Sequence, residues 1–121
     1  MLTINSFVLH VEDIHVSQAF YSKLFDCEVT FLSPTFASMP LANGLKLTLK
    51  QSDVLSPSSD IKGGGTELSF AVRNRHTLEH VYNSWKNMGV EFAQPPMTSV
   101  YGLNFVATDP DKHRIRVFIS E

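Results

Sequence analysis

Hydrophobic and polar positions alternate over residues 6–11, with Phe7, Leu9 and Val11 against Ser6, Val8 and His10. A period of two marks a strand with one buried face. Beyond Asp13, a good N-cap, the period lengthens, and Val16, Ala19, Phe20 and Leu24 recur at the spacing of a helix that should end near Phe25. Residues 28–31 restart a strand, Ser33-Pro34 interrupts it, and residues 36–39 form a short one. Asn43-Gly44 is a hairpin turn signal. The following strand alternates Leu45, Leu47 and Leu49 with Lys46, Thr48 and Lys50. Residues 51–65 are polar, with Pro57 and Gly63-Gly64-Gly65, and read as a flexible linker.

After the linker the pattern returns. A shift of 61 positions lays Ser6 on Glu67, Val11 on Val72, His15 on His76, Tyr21 on Tyr82 and Phe31 on Phe92. It predicts a strand over residues 67–72, a cap at Asn74, and a helix with the stripe Leu78, Val81, Trp85 and Met88, stopped by Gly89. A longer loop through Pro95-Pro96 then breaks the register. Two strands follow, joined by Asp109-Pro110-Asp111, and the last sets Arg114, Arg116 and Phe118 opposite Ile115, Val117 and Ile119. A shift of 70 lays Lys46 on Arg116. The prediction is an α+β fold of two βαβββ modules in one domain spanning residues 1–121. Module one covers about residues 4–51, the linker 52–65, and module two 66–119.

Composition narrows the partners. The chain has 121 residues, 43% of them hydrophobic and 18% charged, with a formal net charge of −2. Nucleic acid is not an expected partner of so weakly acidic a chain. The apolar runs are too short for a membrane helix, and the N-terminal residues lack the basic region of a signal peptide. Cys27 is the only cysteine, which suits a reducing cytoplasm.

Several segments carry a family likeness. They are Val11-Glu12-Asp13 followed by Ala19-Phe20-Tyr21, then Leu68-Ser69-Phe70-Ala71-Val72, Met88-Gly89-Val90, Tyr101-Gly102, and Phe105 through Asp109-Pro110-Asp111. With the duplicated pattern, the chain resembles the vicinal oxygen chelate superfamily, which includes glyoxalase I, fosfomycin- and bleomycin-resistance proteins and extradiol dioxygenases. The resemblance implies curled mixed sheets around a cavity, helices outside, a homodimer, and a divalent metal held by strand residues of both modules. The ligand positions fall on Ser6, Lys46, Glu67 and Arg116. One carboxylate and two cations repel a divalent ion more than they hold it, so no metal cofactor is expected.

The same alternation gives the expected ligand cavity, lined by Ser6, His10, Lys46, Thr48, Glu67, Ser69, Tyr101, Arg114 and Arg116. Glu67 either pairs with Arg116 or Lys46, or leaves those cations to clamp an anionic ligand. The expected function is metal-independent binding or sequestration of a small molecule, anionic by this charge pattern and unlike a cationic drug of the bleomycin type. The alternative is an enzyme of the same superfamily: a glyoxalase-like lyase or isomerase using Glu67 or His10, or a dioxygenase-type enzyme with non-standard site residues. Elsewhere, His76 and His80 lie on the polar side of the second helix, His113 reads as an exposed turn residue, and Cys27 has no base beside it. Tyr82 and Trp85 are expected in the core.

Overall fold

Each predicted module closes its own four-stranded sheet in the computed structural model, which describes residues 2–63, 65–100 and 102–120. The chain divides into two compact units, with the boundary between Lys62 and Gly63.

The first unit runs β1 (Ser6–Val11), α1 (Ile14–Leu24), β2 (Thr30–Ser33), β3 (Phe36–Pro40) and β4 (Lys46–Gln51), with sheet order β1-β4-β3-β2. β1 and β4 are parallel and the other pairs antiparallel. Asp13 caps α1, its Oδ1 accepting from the backbone N–H groups of His15 and Val16 at 3.0 and 3.3 Å. The buried face of α1 is Ile14, Ser17, Tyr21 and Leu24, so the predicted stripe was out of phase and only Leu24 of it is buried. Ile14, the first helical residue, sets the phase, and steps of three and four from it reach Tyr21 past the small Ser17. α1 packs on β4 and β3, where Ala37, Met39, Leu47 and Leu49 are buried with Leu9 and Val11 of β1. The turn into β4 is left-handed at Asn43, φ 64°.

The second unit runs β5 (Glu67–Val72), α2 (Arg75–Asn87), β6 (Glu91–Ser99), β7 (Gly102–Thr108) and β8 (Arg114–Ile119), in the order β5-β8-β7-β6. Asn74 caps α2 through Thr77 N–H at 2.8 Å. At the other end Gly89 adopts φ 86°, and the N–H groups of Gly89 and Val90 reach the carbonyls of Lys86 and Trp85. That pair of bonds is a Schellman stop, which favours glycine because its left-handed position crowds a Cβ. Leu78 and Trp85 of the predicted stripe are buried, whereas Met88 is the C-cap and exposed. Trp85 meets Phe105 edge-on at 5.6 Å, and Tyr82 packs on Phe92 at 4.7 Å.

Three expectations are corrected. The predicted loop through Pro95-Pro96 is strand, because β6 lies at the sheet edge, where a missing N–H is tolerated at irregularities of register. His113 is buried, not exposed: Nδ1 sits 2.7 Å from Oδ2 of buried Asp109, whose Oδ1 accepts from the N–H groups of Asp111 and His113. Gly63 is a packing position as well as linker, since a Cβ there would overlap the backbone carbonyl of Asp111.

The strand pairing also resets the repeat. β1 starts at Ser6 beside Lys46, and β5 starts at Glu67 beside Arg114. Lys46 therefore corresponds to Arg114, and Arg116 to Thr48, a shift of 68 where the sequence suggested 70. The shift of two keeps each residue on its predicted face.

Candidate functional site

In the second unit, parallel β5 and β8 place Ser69 directly beside Arg116 and Glu67 one step along the same face. With Phe118 these residues line an open cleft of about 370 Å³. Arg116 Nε donates to Glu67 Oε2 at 3.1 Å and Nη2 to Oε1 at 3.4 Å, a two-toothed contact. The Ser69 hydroxyl donates to the same Oε2 at 3.0 Å. The pair is neither dry nor free in water: the Arg116 side chain is 24% exposed and that of Glu67 35%.

Behind the pair lies Asn104, fully buried on β7. Its Oδ1 accepts from Arg116 Nη1 and from Gln94 Nε2, the latter at 3.1 Å. Its amide donates to the Gly102 carbonyl at 3.0 Å and to the Ser99 hydroxyl at 3.2 Å. The guanidinium is thus held from two sides. The hydrogen bond from Arg116 holds the Glu67 carboxyl below the ordinary carboxylate range, aided by Ser69 and the charge of Arg114, against partial burial acting upward.

The other expected lining residues are distributed as follows. Arg114 lies on β8 and is exposed, and Tyr101 lies outside the described residues. In the first unit Thr48 is buried, Lys46 exposed and Ser6 half-buried. His10 lines a first-unit cleft beside Lys50. Sequence reasoning missed Asn104 and Gln94. A lone amide inside the apolar run of residues 103–107 was the available signal, since a buried polar side chain must find partners. Cys27 is half-buried, and burial, then nearby Asp26, raises its thiol above the ordinary value, the opposite of an activated nucleophile.

As a site for the superfamily's divalent metal this donor set fits poorly. Among the described residues Glu67 is the one carboxylate lining the second-unit cleft, and both its oxygens are engaged by Arg116. A cation entering there would meet a guanidinium at contact distance. Among the described residues no three His, Cys, Asp or Glu side chains are grouped to hold a metal ion. No helix is long and apolar enough to cross a membrane.

Two successive βαβββ units with this topology are the architecture of one class, and the family model confirms it. The chain belongs to the Glyoxalase/Bleomycin resistance protein/Dioxygenase superfamily, whose model matches residues 3–117. A phenazine antibiotic resistance protein from Enterobacter agglomerans, EhpR, is 27% identical over 96% of this chain and 91% of its own. Among solved structures, protein ATC0852 from Agrobacterium tumefaciens is 36% identical, with a TM-score of 0.88 over 100% of this chain and 99% of that one. A glyoxalase-related enzyme from Fulvimarina pelagi shares the fold at 19% identity, with a TM-score of 0.85 over 99% and 89% of the two chains.

Proposed function

We infer that this chain is a cytoplasmic, homodimeric protein that binds or sequesters a small molecule without a metal ion. The observation that carries this reading is the Glu67–Arg116 pair, braced by Ser69 and Asn104 in an open cleft beside Phe118. Such a pair offers fixed acceptor and donor atoms next to an aromatic ring, the ordinary make-up of a small-molecule site. An anion would have to draw Arg116 away from Glu67, so this cleft favours a ligand that is neutral where it meets the pair. The Enterobacter agglomerans relative, a phenazine antibiotic resistance protein, supports a flat aromatic ligand class. A rival lyase or isomerase with Glu67 as its base is disfavoured, because a carboxylate kept below its ordinary pKa is a weak base near neutral pH, and one using His10 would have to work from the first-unit cleft that His10 lines.

The test is a thermal-shift titration of the purified protein with phenazine, with and without a chelator. Binding should raise the melting temperature, with a gain of about 2.7 kcal/mol at 100 times the Kd, and chelation should change neither the baseline nor the response. One equivalent of tightly held divalent metal, with a fall in melting temperature on its removal, would overturn the reading.

A further inference from the structure

The first unit holds a second cleft, of about 590 Å³, that the Glu67–Arg116 site does not use. Its floor is a row across three strands. His10 on β1 is the register partner of Lys50 on β4, and Lys50 is in turn the partner of Phe36 on β3. The three side chains share the sheet face turned from the Leu47 and Leu49 stripe. Lys50 Nζ lies 5.5 Å from the centroid of the Phe36 ring. The wall is the segment after β4, which contributes Leu55, Pro57 and Ser58 among others.

That wall is fixed at its root by Gln51. Its side chain accepts from Ile14 N–H at 3.3 Å and donates to Asp53 Oδ1 at 3.1 Å, while its own N–H reaches the Thr35 carbonyl at 3.0 Å. Asp53 is the nearest acid in sequence and is engaged by Gln51. Among the described residues no carboxylate lines the cleft, and Lys50 makes no ion pair. A cation with an aromatic ring on one side, an imidazole on the other and no acid facing it selects negative charge. The volume falls within the range of small-molecule sites.

We propose that this cleft is a second site, for a small amphipathic monoanion, its carboxylate held by Lys50 beside His10 and its flat apolar body against Phe36 and Leu55. One cation matches one negative charge, which separates this ligand class from phosphates carrying two.

The test uses 2-naphthoate as probe and neutral 2-naphthamide as its control, followed by amide chemical shifts and calorimetry on the full chain. Naphthoate should perturb residues around His10, Phe36 and Lys50. Lys50→Met keeps the apolar stem and removes the charge, and should weaken naphthoate by about ten- to a hundred-fold, the range of a hydrogen bond to a charged group. Lys50→Arg should restore most of the binding, which distinguishes a lost charge from a damaged fold, and naphthamide should bind weakly and equally to all three proteins. Absence of naphthoate binding up to millimolar concentration, or equal binding to Lys50→Met, overturns the inference. Perturbations centred on Glu67, Ser69 and Arg116 overturn it too, since they would put the anion in the second-unit cleft. The phenazine and naphthoate responses are read on different side chains, so either proposal can fail alone.

Discussion

The guanidinium of Arg116 is divided between Glu67, at the mouth of the cleft, and Asn104, in the interior. That division decides what each substitution should cost. Glu67→Ala removes one arm of a pair that still touches water. It should cost about 1 kcal/mol, near the upper end for exposed pairs and below the 3–5 kcal/mol of a buried one. Asn104→Ala strips partners from Gln94, Arg116, Ser99 and the Gly102 carbonyl together; Ser99 and Gly102 are exposed to water, whereas Gln94 and Arg116 are only partly so. It should cost about 2–4 kcal/mol, since each buried group left unsatisfied costs roughly 1–3 kcal/mol. Urea unfolding of the two variants checks the order, and a larger loss for Glu67→Ala would mean that the pair, not the amide behind it, anchors the site. Strand alternation put Glu67, Arg116 and Lys46 on one expected face, but it left open which cation, if either, pairs with Glu67. The Asn104 hub was not readable in the sequence, because a chain pattern shows that a polar residue is buried but not which groups converge on it.

At the scale of the elements, the turn between β7 and β8 is organised from inside by a carboxylate. Asp109 accepts from two backbone N–H groups and faces the His113 ring within the same turn. The hydrogen bond that the His113 ring donates to Asp109 raises the His113 pKa above its ordinary value, with the charges of Asp109 and Asp111 acting the same way and burial opposing them. A group whose folded pKa is raised contributes its full stabilisation below the unfolded pKa, about 6.5 for histidine, and loses it as pH rises through the folded value. Stability should therefore decline with a histidine-dependent slope from near pH 6.5 upward. Asp109→Asn should flatten that slope and lower stability most at the acidic end of the window. Urea midpoints measured from pH 5 to 9 would show it; an unchanged slope in Asp109→Asn would place the titration elsewhere. Sequence reasoning left His113 outside because Asp109-Pro110-Asp111 announces a turn, and turns are usually wet. Only the folded backbone shows the Asp109 side chain directed inward. Helix ends behaved otherwise. Asp13, Asn74 and Gly89 act through groups within four residues of themselves, so their roles were legible in the chain.

Across the whole molecule, the duplication was the most legible feature, and its register the least. Strand and helix starts in the two units differ by 61 through β2 and β6, and by 68 once β4 and β8 are aligned on their parallel partners. The extra residues are absorbed around β6, β7 and their connection, where backbone hydrogen bonding tolerates irregularity that a hydrophobicity pattern cannot reveal. The register makes buried Thr48 the first-unit counterpart of Arg116, so the two units are not copies in chemistry. Among the described residues, the second unit carries the Glu67–Arg116 ion pair and the first carries the Lys50 row. The surface adds one further consequence. Phe7 and Val8 on β1 are 45% and 40% exposed, and Leu32 on edge strand β2 more so. These side chains lie on both edge strands of the first sheet, and the homodimer of the proposed function would have apolar surface there to cover. Sedimentation equilibrium at tens of micromolar should then give twice the 13.6 kDa chain mass. Because dimer and folding are linked by mass action, a hundred-fold dilution should cost about 2.7 kcal/mol of apparent stability, lowering the melting temperature by about 5–10 °C. A single 13.6 kDa species with a melting temperature independent of concentration would mean that those side chains face solvent in the working protein.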